Sequence, residues 1–167
     1  FNAIVVDGDM STNDTVLLLA NGFAENPPSG LRLPASQDFQ VFQSALDHVC
    51  LELAKKIVRD GEGATKFITV RVDGGRDEAE CRLAAYAIAH SPLVKTAFFA
   101  SDPNWGRILA AVGRARIPQL HVDRVSIHLD DVCIVRNGGR AAEYSEAQGQ
   151  AVMARSEIRV RVDLGAG

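Results

Sequence analysis

The chain has 167 residues, of which 47% are hydrophobic and 23% charged, and its formal net charge is −3. This is the composition of an ordinary globular protein, and the charges are interleaved without a basic cluster, so we do not expect nucleic acid as a partner. No apolar run approaches the roughly 20 residues that cross a bilayer. We therefore expect no membrane association and a cytoplasmic location.

The cysteines and histidines are too scattered to suggest a metal site. Cys50, Cys81 and Cys133 are far apart in sequence, and the histidines show no ligand spacing. Zinc sites and disulfide frameworks both need characteristic spacings of their ligands. We expect reduced cysteines, no metal and no cofactor.

The first polar segment lies between two apolar runs and reads VDGDMSTNDT, at residues 6–15. Residues 2–6 read NAIVV, which predicts a short buried strand. Residues 15–22 read TVLLLANG, which predicts a helix capped by Ser11 or Thr12. The polar segment then connects a strand to a helix. Its acids and hydroxyls can serve either catalysis or backbone capping, and the segment alone does not decide between them.

The next elements are a loop, a long helix and a strand. Residues 21–35 are rich in proline and predict a loop. Ser36 is placed to cap an amphipathic helix that runs to Asp60, with apolar residues at three- and four-residue spacing: Phe39, Phe42, Leu46, Val49, Leu53 and Ile57. Alternating residues at 66–72 predict a strand.

A helix, a strand and a second helix are predicted after the strand at 66–72. Asp77 and Glu80 form a capping pair for a helix to residue 89. Its expected inner face is small: Ala79, Leu83, Ala84, Ala87 and Ile88. The apolar run LVKTAFFA, at 93–100, has the length of a strand. It leads to SDPNWGR, where Asp102 is expected as the N-cap and Pro103 at the first position of a helix to residue 113.

The last third of the chain predicts the order ββαβ. A hairpin is expected over 125–135, a helix over 145–155 and a strand over 157–164, where apolar and charged residues alternate. We predict a mixed α/β (α+β) fold, a mixed sheet packed by helices. Its regions would be a core at 1–114 and a C-terminal α+β subdomain at 115–167.

Three polar segments are candidates for a functional site: residues 6–15, GEGATK at 61–66 and SDPNWGR at 101–107. GEGATK lacks the spacing of a phosphate-binding loop, and its carboxylate Glu62 is either a ligand-binding group or a solvated loop acid. Asp7 and Asp9 after an apolar run are also compatible with a magnesium-dependent phosphohydrolase of the haloacid dehalogenase type. A small non-catalytic assembly module is a third hypothesis.

Longer stretches resemble one known family. VDGDMSTNDTVLLLANG, GEGATKFITVRV, SPLVKTAFFASDPNWGRILAAVG and the closing IRVRVDLG are similar, in this order, to the C-terminal part of the β chain of the bifunctional ornithine acetyltransferase/N-acetylglutamate synthase family (glutamate N-acetyltransferase, or ArgJ family). The resemblance implies a DmpA/ArgJ-like fold. It also implies an enzyme of arginine biosynthesis that moves an acetyl group from N2-acetylornithine to glutamate, with acetyl-CoA as a second substrate in some members.

The resemblance further implies autocatalytic cleavage and an N-terminal threonine nucleophile, which we expect upstream of Phe1. The oxyanion residues are expected in the α chain of the same precursor, and further substrate contacts in a tail after the last strand. We expect no catalytic residue within this chain, no activity from it alone, and a hetero-oligomer such as α2β2.

One substrate-binding position of the family falls on this sequence, at Glu62. A carboxylate there can pair with the ammonium group of an amino-acid substrate. Further residues in the polar segments are candidates for places beside the site, with capping and support of the site as the alternative role; they are Thr12, Asn13, Asp14, Asn104 and Arg107.

Overall fold

The computed structural model describes residues 1–25, 34 and 36–166. The chain divides into two compact units, Phe1–Gly61 and Glu62–Gly167. No helix in the described parts of the chain is long and apolar enough to span a membrane.

The first unit contains one long helix, α1 (Gln37–Arg59). Its N-cap is Ser36, whose hydroxyl accepts a hydrogen bond from the backbone N–H of Phe39 at 3.2 Å. The predicted helix is therefore confirmed, with its cap. Only Ala54 is buried in it, and several side chains of the predicted apolar face are about half exposed, namely Phe42, Val49 and Leu53.

The predicted strand at 2–6 and the predicted helix at 15–22 are both wrong. Residues 2–6 form turns and irregular backbone and belong to none of the described strands. A strand that joins no sheet is marginally stable at best. Residues 16–19 are in no helix or strand and are 61–91% exposed. A short apolar helix that buries none of its side chains has little to stabilise it. The predicted loop at 21–35 lies largely outside the described residues.

The second unit is built on one five-stranded sheet. Its strands are β1 (Phe67–Asp73), β2 (Ser126–Leu129), β3 (Val132–Arg136), β4 (Gly139–Arg140) and β5 (Glu157–Asp163). They lie in the order β1-β5-β2-β3-β4, with β1 and β5 parallel and the other pairs antiparallel. The mixed α/β fold and the hairpin are confirmed.

The boundary expected at 114/115 falls inside this unit. All seven residues of β1 are paired in register with β5, from Phe67 opposite Glu157 to Asp73 opposite Asp163. Residues on both sides of position 115 therefore share one sheet and one core.

Four helices accompany the sheet: α2 (Glu78–Ala89), α3 (Pro92–Phe99), α4 (Trp105–Gly113) and α5 (Glu146–Met153). The helix predicted over 145–155 is confirmed and has a capping box in which Ser145 and Gln148 bond reciprocally. A short 3₁₀ turn, Val122–Arg124, precedes β2.

The buried face of α2 differs from the prediction. Its buried residues are Glu80, Ala84 and Ile88, at four-residue spacing, whereas Ala79 and Leu83 are exposed. The prediction gave Glu80 a role in capping the helix and did not place it on the inner face. A carboxylate can be buried here because Arg76 pairs with it.

The strand predicted at 93–100 is wrong, because this run is α3. Ser91 caps it by accepting from the backbone N–H of Val94 at 3.4 Å, and Pro92 occupies the first helical position. Val94, Ala97 and Phe98 are buried at helical spacing. The largely apolar run hides this periodicity, since some of its exposed side chains, such as those of Leu93 and Phe99, are also apolar.

The core lies on one face of the sheet. In β5 the residues Ile158, Val160 and Val162 are buried, while every alternate residue is exposed. This confirms the predicted alternation and leaves the charged face of β5 to solvent.

Candidate functional site

A hydrogen bond joins two of the three polar segments. The ammonium Nζ of Lys66, the last residue of GEGATK, donates to the hydroxyl Oγ of Ser101, the first residue of SDPNWGR, at 2.9 Å. Both residues are partly buried. Segments 35 residues apart in sequence therefore meet in the second unit.

Glu62 lies in the turn of the GEGATK segment, before β1. The next residue, Gly63, has a φ of +69°, which glycine adopts without the steric cost that a Cβ brings. The carboxylate of Glu62 is exposed, and no side chain in the described part of the chain pairs with it. It is thus a free anionic group on a turn whose far end, at Lys66, is fixed.

The turn at 101–104 begins in a left-handed conformation, with a φ of +56° at Ser101. The N-cap of α4 is Asn104, whose side-chain Oδ1 accepts from the backbone N–H of Arg107 at 3.1 Å. The predicted cap at Asp102 is wrong, because its carboxylate accepts from the side-chain Nδ2 of Asn104 at 3.1 Å. Pro103 correspondingly lies before the helix and is buried.

Arg107 connects two helices. Its guanidinium donates to the backbone carbonyl of Leu93 at 3.0 Å and to the hydroxyl of Thr96 at 3.1 Å, both in α3. The structure therefore gives Asn104 and Arg107 structural roles, as a cap and as a link between α3 and α4.

The candidates of the first polar segment lie in the first unit. Ser11 accepts from the backbone N–H groups of Asn13 at 3.1 Å and Asp14 at 2.8 Å, and Thr12 donates to the side chain of Asn13 at 3.3 Å. These are local turn contacts of the capping type. Asp14 also lines an open groove of about 730 Å³ in that unit, together with residues of the last turns of α1.

The phosphohydrolase hypothesis gains no support from the contacts of Asp7 or from a search for a metal site. The carboxylate of Asp7 accepts from the backbone N–H of Asp9 at 2.8 Å, as in an ordinary turn. Within the described ranges, no three acidic, histidine or cysteine side chains are grouped as a metal site would require. The three cysteines are free.

Sequence reasoning missed Tyr144, which packs against the 101–104 turn. A Cβ built on Gly149 of α5 would meet both the phenol oxygen of Tyr144 and the ring of Pro103. Tyr144 is 4% exposed, and its hydroxyl is the one buried side-chain polar atom without a partner in the described structure. Burial raises the pKa of Tyr144, and the nearby carboxylates of Glu146 and Asp102 raise it further. No spacing links positions 103, 144 and 149 in the sequence.

Comparison with known proteins decides the family. A family model described as ArgJ family matches residues 1–167. The chain belongs to the ArgJ family. The resemblance of the polar segments is thereby confirmed, and the phosphohydrolase hypothesis finds no support.

Individual relatives in the ArgJ family agree with this assignment. The chain is 53% identical to the arginine biosynthesis bifunctional protein ArgJ of Pseudomonas fluorescens and covers 41% of that protein's length. It is 59% identical to the protein of the same name from Methylococcus capsulatus, covering 40% of its length. All 167 residues are matched in both. The chain thus spans about two fifths of the length of these curated relatives.

A solved structure supports the fold of this ArgJ family member. The crystal structure of the arginine biosynthesis bifunctional protein argJ from Bacillus halodurans matches with a TM-score of 0.86 at 37% identity. The match covers 100% of this chain and 76% of that one.

Proposed function

We propose that this chain is part of an acetyltransferase of arginine biosynthesis, which moves an acetyl group from N2-acetylornithine to glutamate. Support comes from membership of the ArgJ family and from relatives that are named as bifunctional proteins of arginine biosynthesis. Acetyl-CoA is proposed as a second acetyl donor, and no resident cofactor is needed.

The proposed chemistry uses a threonine nucleophile in the full-length protein, upstream of Phe1 and freed by autocatalytic cleavage. Its α-amine takes the proton from its own hydroxyl, and the oxygen attacks the acetyl carbonyl. The bond between the carbonyl carbon and N2 then breaks, and ornithine leaves with that proton on its N2 amine. The neutral α-amine of glutamate then attacks the carbonyl of the acetyl-threonine ester, the bond to the threonine oxygen breaks, and that oxygen takes back a proton from the attacking amine. Donors of an oxyanion site, which we assign to the α chain, stabilise the charge that develops on the carbonyl oxygen. A hetero-oligomer such as α2β2 would unite these groups.

The role proposed for Glu62 is to bind the ammonium group of an amino-acid substrate. The observation that carries it is the exposed carboxylate of Glu62 on a turn that is followed by Lys66, whose ammonium group is bound to Ser101. The carboxylate is exposed and has no protein partner in the described structure, so a substrate ammonium does not have to displace one. A charge-assisted hydrogen bond is stronger than a neutral one.

Glu62→Gln in the full-length protein tests this role. We expect KM for the amino-acid substrates to rise about tenfold or more, because a hydrogen bond to a charged group contributes about 1.5–3 kcal/mol. Steady-state kinetics with acetylornithine and glutamate measure it. The control is Glu78→Gln, an exposed glutamate that pairs with Arg82 on the surface of α2. Unchanged KM and kcat in Glu62→Gln would contradict the role.

Residues 1–167 alone are expected to show no acetyl transfer, since the proposed nucleophile and oxyanion donors lie in other parts of the protein. Turnover by this piece in the same assay would refute that assignment.

A further inference from the structure

We infer that Lys66 is a positioning residue for Glu62: by binding Ser101, its ammonium group holds the turn that carries Glu62 against the turn at 101–104. This inference rests on the proposed function, in which Glu62 binds the substrate ammonium. Lys66 itself does not contact substrate in this assignment.

The main chain on the strand side of Lys66 is fixed. The backbone N–H of Phe67 donates to the carbonyl of Ser156 at 2.8 Å, and β1 starts there in register with β5. Glu62 lies four residues before Lys66, so their Cα atoms are at most about 14 Å apart. Gly63 lies between them and Gly61 directly before Glu62, and glycine gives the backbone on both sides of Glu62 a wide choice of conformations. The position of Glu62 therefore depends on how the ends of this segment are held.

Backbone hydrogen bonds hold Ser101 in place. Its backbone N–H donates to the carbonyl of Phe98 at 3.1 Å, and the next N–H, of Asp102, donates to Ala97 at 2.8 Å. Glycine or asparagine fits its left-handed conformation better than serine does. What serine adds at this position is the hydroxyl, which accepts from Lys66.

The contact also has an electrostatic reason. In the part of the chain that the structure describes, no carboxylate lies within ion-pair distance of Lys66, and Ser101 is its hydrogen-bonding partner. A partly buried ammonium group that loses its partner must move toward water. Such a movement would displace the turn that carries Glu62. The hydroxyl of Ser101 thus keeps Lys66, and through it the Glu62 turn, in one arrangement.

A double-mutant cycle in the full-length protein tests the inference, with Lys66→Met, Ser101→Gly and the combination. Lys66→Met keeps the length of the side chain and removes the charge. Ser101→Gly removes the hydroxyl and relieves the left-handed backbone, so its thermal stability should not fall. We expect each single variant to raise KM for the amino-acid substrates about fivefold with kcat nearly unchanged. The KM of the double variant should be no higher than that of Lys66→Met, because the two residues act through one contact.

Lys66→Arg serves as the conservative variant, since it keeps a charged donor of similar reach. Its KM for the amino-acid substrates should lie close to that of the parent protein and well below that of Lys66→Met. Unchanged KM in Ser101→Gly, or effects of the two single variants that simply add, would overturn the positioning role.

The outcome for Glu62→Gln separates this inference from the proposed function. If Glu62→Gln raises KM while Lys66→Met and Ser101→Gly do not, the positioning role fails and the proposed function stands. If Glu62→Gln leaves KM unchanged, the role of Glu62 fails and the positioning role fails with it.

Discussion

The phenol oxygen of Tyr144 lies so close to the Cα of Gly149 that a Cβ at position 149 cannot be accommodated without movement. The same Cβ would come within 2.7 Å of Cβ of Pro103. Gly149 is buried in α5, and Pro103 is buried in the turn before α4. The missing side chain at 149 therefore lets α5 approach the turn that contains Ser101 and Asn104.

Gly149→Ala should destabilise the full-length protein, although alanine is the better helix former by about 1 kcal/mol. Overpacking of a buried site costs about 1–3 kcal/mol and outweighs that gain. Denaturant unfolding measures the difference. The matched control is Gly106→Ala in α4, where the nearest atom to the new Cβ is Oδ1 of Asn104 at 3.6 Å, so this variant should be neutral or stabilised.

Adding Tyr144→Phe to Gly149→Ala should recover part of the loss, because it removes the hydroxyl that the new methyl group meets. Phenylalanine also removes a buried hydroxyl without a described partner. Equal stability of Gly149→Ala and Gly106→Ala would show that α5 does not pack this closely.

Elements with a clear period were predictable from the sequence. In β5, charged and apolar residues alternate, and the two faces of one strand read directly from that pattern. The conformations of residues 16–19 and of α3 were not predictable in this way. Residues 16–19 are all apolar, and α3 contains only Lys95 and Thr96 as polar residues, so periodicity carries little information. The outcome depends on tertiary partners: α3 packs into the core, whereas residues 16–19 are exposed.

The candidate site was predictable only in part. Glu62 was singled out from its segment and its binding role from the family resemblance; the structure places its carboxylate exposed on the turn before β1, and the binding role stays a prediction. The contact between Lys66 and Ser101 joins positions 35 residues apart, and no local sequence pattern predicts a pair at that separation. The cap of α4 was misplaced by two residues because Asp102 and Asn104 are both good N-caps, and only the folded turn decides which side chain reaches the helix.

Glu80→Gln should lower the melting temperature near pH 7 and flatten its dependence on acid pH. Hydrogen bonds from the guanidinium and backbone N–H of Arg76 hold the pKa of Glu80 below its ordinary value of 4.5. Because the folded pKa is lowered, this contribution to stability is complete above about pH 4.5 and is lost as the pH falls through the folded pKa.

The measurement for Glu80 is the melting temperature between pH 7 and pH 3 for the parent protein and the variant. The difference in melting temperature between the parent protein and Glu80→Gln should become smaller toward low pH. Glu78→Gln, at a side chain that is 84% exposed, should show a small gap at every pH. A gap for Glu80→Gln that stays constant down to pH 3 would argue against an ionised Glu80 in the folded protein.

Asn104→Ala should destabilise the protein by about 1 kcal/mol, the usual cost of losing an N-cap side chain. Asn104→Ser, which keeps a capping oxygen, should cost less. Asp102→Ala removes only the acceptor of the Asn104 side chain and should also cost less than Asn104→Ala. Denaturant midpoints rank the three variants. If Asp102→Ala loses more stability than Asn104→Ala, the N-cap of α4 is Asp102, as predicted from the sequence.

Gly63→Ala and Gly113→Ala should change stability in opposite directions, although a Cβ meets no atom within 4 Å at either position. Gly63 has a φ of +69°, so alanine there costs about 1–2 kcal/mol of backbone strain. Gly113 ends α4 without a positive φ, and alanine gains up to about 1 kcal/mol in a helix.

The two glycine variants also separate the turn of Glu62 from general stability. Gly63→Ala shifts the backbone next to Glu62 and should raise KM for the amino-acid substrates, whereas Gly113→Ala should leave KM unchanged. Thermal melts and steady-state kinetics on the full-length protein measure both effects. If Gly63→Ala is as stable as Gly113→Ala and binds substrate equally well, then the left-handed turn at Gly63 does not set the position of the Glu62 carboxylate.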